Sequence, residues 1–330
     1  MTSRRQLLGL TGLTTALGVM PSLTPSRWAA AQERTVVSLG TATPGGGFPV
    51  YGAAFSETIN QTDPTLHVQP RNTKGSLENI PLIESGQVDL ALVTGEPLYE
   101  ARNGIGIGSG KPPANLRLLT AMYSSPGMFA VNGDSPVRRI ADLLGKPVAF
   151  GAQGSGLVVL ARYVLDGLGY DMHKDFQAIF LERAGDGPAM VQDGRAAALW
   201  GAGIGWPGFA TIAKSPQGAR FIVPDAAEVQ RILSKHTLLK ANLVPANTYP
   251  GQPEALHSVG SWSFVIARTN LPDDTAYRLA RALHRGTGAL GERLAQAKET
   301  TAANTVAAAP SSDLIHPGAQ RYLREAGFLR

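Results

Sequence analysis

From Thr35 to Leu39 the chain reads T-V-V-S-L, a β-branched run that stops at Gly40. A loop rich in small residues, T-A-T-P-G-G-G, comes next, and Ala53, Phe55 and Ile59 then trace the inward stripe of a helix. His67–Gln69 predicts a second strand, and Ser76–Ser85 a second helix with Leu77, Ile80, Leu82 and Ile83 turned inward. Val88–Val93 predicts a third strand, so the order is βαβαβ.

The same order returns further on. Pro147–Phe150 predicts a strand that runs into G-A-Q-G-S-G, followed by a helix over Leu157–Leu168, a strand over Gln177–Leu181 and a short helix near Pro188–Gln192. The unit closes with D-G-R-A-A-A-L-W, ending at Trp200, and a Gly/Pro turn through Pro207. Gly86 follows Gly45 by 41 residues and Gly194 follows Gly154 by 40, so loop and closing strand recur at matching distances. Two lobes of similar topology follow, each a parallel sheet covered by helices, with ligands expected outside the carboxyl ends of the strands.

Past Trp200 a segment with little lobe-closing signal runs through Ile222–Val223, and the pattern predicts a helix over Asp225–Leu233 and a strand over Ser261–Ala267. A helix over Asp273–Gly286 and helical turns around Leu290–Lys298 and Pro317–Ala326 complete the chain. The chain is expected to cross back near 258–265. One lobe then comprises 32–125 plus 259–330, the other 126–258, with a hinge and a central ligand cleft between them.

The N-terminus changes the picture of charge. Arg4-Arg5 within S-R-R-Q-L-L precede a weakly apolar stretch from Leu7 to Met20, then Pro21 and the small residues Ala29-Ala30-Ala31. These features predict an export signal over 1–31 of the twin-arginine kind, cleaved near Ala31, and a periplasmic mature protein. Loss of Arg4, Arg5 and Arg27 lowers the formal net charge from +5 to +2. No Lys/Arg run interleaves with aromatics, which argues against nucleic acid as a partner. The chain contains 0 Cys, which excludes disulfides, thiolate metal sites and thiol nucleophiles. The six His residues show no H-x-x-H or HExxH spacing, so no metal or other cofactor is expected.

Several blocks, in order, resemble the TAXI-type extracytoplasmic solute receptors of tripartite ATP-independent (TRAP) transporters. They are Gly40-Thr41, Gly45-Gly46 and Tyr51-Gly52 at the first loop, and Thr73-Lys-Gly-Ser76-Leu-Glu-Asn79 at the second helix. Glu84-x-Gly86-x-Val-Asp89-Leu-Ala-Leu-Val93, Gly151-x-x-Gly154-Ser155-Gly156, Tyr249-Pro-Gly251 and Leu314-Ile-His316-Pro-Gly-Ala319 follow. The resemblance implies a periplasmic binding protein of type II-like fold, monomeric and not an enzyme, that hands a small organic acid or amino acid, glutamate-like, to TRAP permease subunits in the membrane. It departs where the family commonly has two aromatics and this chain has Phe48-Pro49, and where Ala197 replaces an acidic residue. A binding protein of an ABC importer, or a receptor for a sensor kinase, would share this architecture.

Two glycine loops at matching strand ends would aim helix N-termini at one cleft, a setting that suits a carboxylate or phosphate. The candidate contacts are Thr41, Thr43, Gly46, Gly47, Tyr51, Ser76, Asn79, Thr94, Glu96, Gly154, Ser155 and Trp206. Several have a second reading. Ser76 could be an N-cap, Thr41 and Thr43 could cap loop carbonyls, Tyr51 could belong to the core and Trp206 could be a packed hinge residue. Glu96 could take a ligand ammonium, and Arg71 or Lys74 a distal carboxylate. On this reading, alanine at Ser155 or Asn79 weakens binding with little thermal cost. Catalysis is disfavoured: Gly154-Ser155-Gly156 lacks the G-x-S-x-G spacing of a nucleophile elbow.

Overall fold

The computed structural model describes residues 34–106, 110 and 112–330. The expected export signal over 1–31 lies outside them. The first unit comprises β1 (Thr35–Gly40), α1 (Gly47–Thr62), β2 (Leu66–Arg71), α2 (Ser76–Glu84) and β3 (Leu90–Thr94). β1 sits between β2 and β3 and is parallel to both. α3 (Gly95–Arg102) then leads into the long strand β4 (Arg117–Asn132).

The second unit comprises β5 (Pro147–Ala152), α4 (Gly156–Leu168), β6 (Gln177–Leu181), α5 (Gly187–Gln192) and β7 (Ala198–Ala202). Here too the first strand, β5, lies between the other two and parallel to both. The repeat read from hydrophobic patterning is therefore a repeat of strand pairing. α6 (Pro207–Ala213), β8 (Ala219–Ile222), α7 (Ala226–Lys235), β9 (Lys240–Val244) and β10 (Leu256–Ala267) follow. The C-terminal helices are α8 (Asp273–Arg285), α9 (Thr287–Arg293), α10 (Ala302–Ala308) and α11 (Pro317–Glu325).

The strands pair in the order β2-β1-β3-β10-β4-β7-β5-β6, with β8 added to β4 and β9 to β10. Two long antiparallel strands join the repeats. Near its end β10 pairs with β3, and near its start with β9. β4 runs beside β10 from Arg117 to Pro126, then continues as the partner of β7 and β8. The hydrophobic pattern assigns no element to β4, and it catches only the second half of β10. Ser124-Ser125-Pro126-Gly127 interrupts the apolar run in β4, although Pro and Gly are compatible with a strand where it bends or where another backbone approaches closely.

The helices show how local sequence fixes their ends. Asp225 caps α7 by accepting from the Glu228 N–H at 2.8 Å, while Glu228 accepts from the Asp225 N–H at 2.9 Å, a reciprocal capping box. α8 carries Asp273 and Asp274 in its first turn and His284 and Arg285 in its last, which matches the helix dipole at both ends. His316 caps α11: its Nδ1 accepts from the Gly318 N–H at 3.2 Å, and burial holds the ring below its ordinary pKa and so neutral.

Apolar packing lies on both faces of each half of the sheet. In the first half Leu39, Phe55, Leu92, Leu279 and Ile315 share one cluster, so α1 and the C-terminal helices pack together on one face. In the second half Phe129, Phe150, Leu160 and Trp200 pack together, with Phe129 and Trp200 ring centroids 4.7 Å apart. Each fully buried side chain of this size stabilises the fold by about 1.5–3 kcal/mol. Asp89 ties strands together at the rim. It accepts from the Ser38 N–H at 2.9 Å and the Ser38 hydroxyl at 2.8 Å, and pairs with Arg268 at 2.8 Å. Partial burial works against its charge, but these partners hold its carboxyl below the usual range.

Candidate ligand-binding site

A cavity of about 50 Å³ opens where the two halves of the sheet meet. Thr43, Gly46, Gly47, Phe48, Ser76, Thr94, Tyr123 and Ser263 line it from the first half of the fold, and Ala152, Ser155, Gly156, Leu157, Ala184 and Trp206 from the second. Around it the halves are in direct contact. The Ala184 N–H donates to Thr43 Oγ1 at 3.2 Å, the Gly185 N–H to the Pro44 carbonyl at 3.2 Å, and the Leu77 N–H to the Gly154 carbonyl at 3.1 Å. Farther out, Arg162 of α4 pairs with the buried carboxylate of Glu100 on α3. The two halves are therefore closed on each other.

Two glycines make this approach possible. At Gly45, φ is +84° and an added Cβ would sit 2.4 Å from Gly185 Cα. At Gly75, φ is +111° and a Cβ would sit 3.0 Å from Ser155 Cα. A side chain at either position would be strained by its own backbone and would also push the opposing loop away.

Helix N-termini dominate the electrostatics of the cavity. The N-caps of α1, α2, α3 and α4 are Gly46, Gly75, Thr94 and Ser155, and none makes a side-chain capping hydrogen bond. All four line the cavity. Side-chain caps occur at α7, α10 and α11, from Asp225, Thr301 and His316, while α5, α6, α8 and α9 also lack them. These helix starts keep a partial positive charge turned toward an anion, although in α2 the Leu77 N–H is already taken by the Gly154 carbonyl. Two hydroxyls add to this: Thr94 Oγ1 and Ser155 Oγ are buried without a hydrogen-bond partner. Ser76 Oγ accepts from the Thr94 N–H at 3.2 Å, which leaves its own hydrogen free to donate.

Of the candidate residues, Thr43, Gly46, Gly47, Ser76, Thr94, Ser155 and Trp206 line the cavity. Trp206 forms part of the wall and is packed edge-on against Phe209, with centroids 5.0 Å apart, over Gly201 and Gly208. Thr41, Tyr51, Asn79, Glu96 and Gly154 lie outside the lining. The Thr41 hydroxyl donates to the Arg71 carbonyl at 2.9 Å, as a loop cap. Tyr51 lies one layer deeper, edge-on to Tyr123 at 5.5 Å, its hydroxyl 3.2 Å from Thr300 Oγ1. Asn79 Nδ2 donates to the carbonyls of Thr41 and Leu92 at 2.8 and 2.7 Å, joining the loop after β1 to the middle of β3. Gly154 packs against Lys74. Arg71 and Lys74 are exposed and away from the lining.

Glu96 is fully buried behind Thr94. Burial pushes its carboxyl up to about 7, tempered by the hydroxyls of Ser261 and Thr94, and the charge of Glu100 adds to the rise. Those hydroxyls lie close without forming well-directed hydrogen bonds, so neither carboxylate oxygen is satisfied.

Sequence reasoning missed Tyr123, Ser125 and Ser263, which bring β4 and β10 to the lining. Burial raises the Tyr123 phenol well above its ordinary pKa, so it lines the site as a neutral hydroxyl. The available signal was polar residues, Ser124-Ser125 and Ser261-Trp-Ser263, inside otherwise apolar runs. Among the described residues, no group of three or more His, Cys, Asp or Glu could hold a metal ion. No described helix is long and apolar enough to cross a membrane.

A closed mixed α/β sheet built from two repeated units, with a cavity at their junction, is the fold of periplasmic binding proteins. A solved "periplasmic transporter" aligns with a TM-score of 0.54 at 14% identity, over 79% of this chain and 87% of that one. The periplasmic binding protein BugD aligns at 0.53 and 14%, over 79% and 86%. A solved Bordetella bronchiseptica RB50 protein aligns at 0.51 and 14%, over 89% and 97%. The chain belongs to the NMT1-like family, which it matches over residues 39–327.

Proposed function

We propose that this protein is exported, captures a small organic anion by closure of two lobes, 32–125 with 259–330 and 126–258, and delivers it to a TRAP-type permease. One observation carries the reading. The unpartnered hydroxyls of Thr94 and Ser155, from opposite halves of the fold, share one closed cavity with the uncapped starts of α1 to α4. A buried polar group without a partner costs about 1–3 kcal/mol, and an anion reaching both hydroxyls would remove that cost in the closed form alone. Ligand would thus shift the population from open to closed by its differential contacts.

The test is a thermal-shift and small-angle scattering screen of residues 32–330 against organic anions and amino acids. A ligand that closes the lobes raises the melting temperature by mass action and reduces the radius of gyration; no response across the panel removes the assignment. The transporter is tested by uptake in cells. TRAP coupling expects uptake to fail when the ion gradient is dissipated and to survive depletion of ATP, while the reverse result assigns the protein to an ABC importer. Export through the twin-arginine route expects Arg4→Lys with Arg5→Lys to retain the protein in the cytoplasm.

A further inference from the structure

Resting on the reading of this cavity as an anion site, we infer that its ligand is a short-chain monocarboxylate, with neither an ammonium nor a second carboxylate. The charge and the chemistry of the wall lead to this separately.

The cavity, about 50 Å³ and enclosed between the halves of the fold, has room for one small ligand.

None of the lining residues carries a charge. An ammonium enclosed here would lose its hydration without meeting a carboxylate, and a second carboxylate would meet no cation. Glu96 does not reach the lining, and Arg71 and Lys74 stay on the surface. A single negative charge, however, is well provided for. The N-termini of α2 and α4, helices of 9 and 13 residues, enter from opposite sides. The hydroxyls of Ser76, Thr94 and Ser155 stand beside them, and Thr94 is only 5% exposed.

The rest of the wall favours carbon. Phe48, Leu157, Ala184, Ala202 and the faces of Tyr123 and Trp206 offer no charge and few donors. An inorganic oxyanion needs donors on all sides, whereas a carboxylate with a short apolar body needs them at one end.

Isothermal titration of residues 32–330 with propionate, pyruvate, lactate, glutamate, glutamine, succinate and sulfate tests this. At least one monocarboxylate is expected to bind at least ten-fold more tightly than any other compound, and Ser155→Ala to weaken it ten-fold or more. Tighter binding of glutamate, glutamine or succinate overturns the inference and leaves anion capture standing. Sulfate binding alone overturns the carboxylate class, again leaving anion capture. No binding at all overturns both. Monocarboxylate binding that is unchanged in both Ser155→Ala and Thr94→Val places the ligand elsewhere and overturns the assignment.

Discussion

The hydroxyls of Ser125 and Ser263 lie 3.1 Å apart, each on one of the two strands that link the halves of the fold. Both residues also line the cavity. Ser261 stands opposite Ser125 and Gly260 opposite Pro126. Beyond this point β4 leaves β10 and turns to β7 and β8. Part of the cavity wall is therefore the joint itself, and on the proposed closing mechanism this is the segment about which the halves would move.

The joint tolerates little added volume. A Cβ at Gly260 would fall 2.0 Å from the Ser125 carbonyl oxygen and 2.7 Å from its carbon, both backbone atoms with no rotamer to change. Gly260→Ala is expected to lower unfolding free energy by about 2–4 kcal/mol through this overpacking. Urea unfolding measures it, and a loss below about 0.5 kcal/mol would mean that β4 and β10 part easily here.

Asn79 and Ser155 separate stability from binding. Asn79→Ala removes two buried hydrogen bonds to the backbone carbonyls of Thr41 and Leu92 and leaves those carbonyls short of a donor. A loss of about 2–3 kcal/mol is expected, with ligand affinity changed only as far as the loop loosens. Ser155→Ala removes a hydroxyl that has no protein partner, so the melting temperature should hold while affinity falls. Calorimetry and titration on both variants check the pair; a stable Asn79→Ala that no longer binds would move Asn79 into the site.

The repeat was legible in sequence because its signals are local. T-V-V-S-L and P-V-A-F are short apolar runs, each followed by a glycine loop that marks where the strand hands over to a helix. β4 was not legible, because its burial comes from partners distant in sequence: β10 at 256–267, β7 at 198–202 and β8 at 219–222. Tyr123 and Ser125 were hidden with it, and Ser263, although within a predicted strand, was not singled out as facing the cavity. Thr41, Tyr51 and Asn79 show the opposite limit. A polar residue near a glycine loop has the same sequence pattern whether its partner is a ligand or a strand-end carbonyl, and only the fold distinguishes them.

Glu96 should make stability depend on pH. Its folded pKa of about 7 lies above the ordinary 4.5, so between these values the folded state holds a proton that the unfolded chain has released. Its contribution is therefore fully present below about pH 4.5 and is lost as pH rises through 7. Above that, the ionised buried carboxyl costs on the order of 3 kcal/mol. Glu96→Gln keeps the shape and stays neutral, so it should gain about that much at pH 8 and almost nothing at pH 4.5. Urea unfolding at several pH values decides it: a constant offset between variant and wild type would mean that Glu96 does not titrate in this range.

Gly156 offers the most direct test that closure creates the site. It is the first residue of α4, with backbone geometry open to any L-residue. An added Cβ would lie 1.9 Å from Thr94 Oγ1 and 2.8 Å from Ser76 Oγ. Both neighbours belong to the opposite half of the fold, so the clash can be relieved by opening the halves without unfolding either. Alanine is also the better helix former, by about 1 kcal/mol in a helix interior and less at the first position. Gly156→Ala is thus expected to fold normally, to show a larger radius of gyration than wild type in scattering, and to lose ligand affinity by a hundred-fold or more, on the order of 3 kcal/mol. Such a variant would also lose the Arg162–Glu100 pair, which exists only when α4 and α3 meet. Full affinity at wild-type compactness would show that Thr94 and Ser76 can step aside, and that the hydroxyls do not read the ligand at this contact.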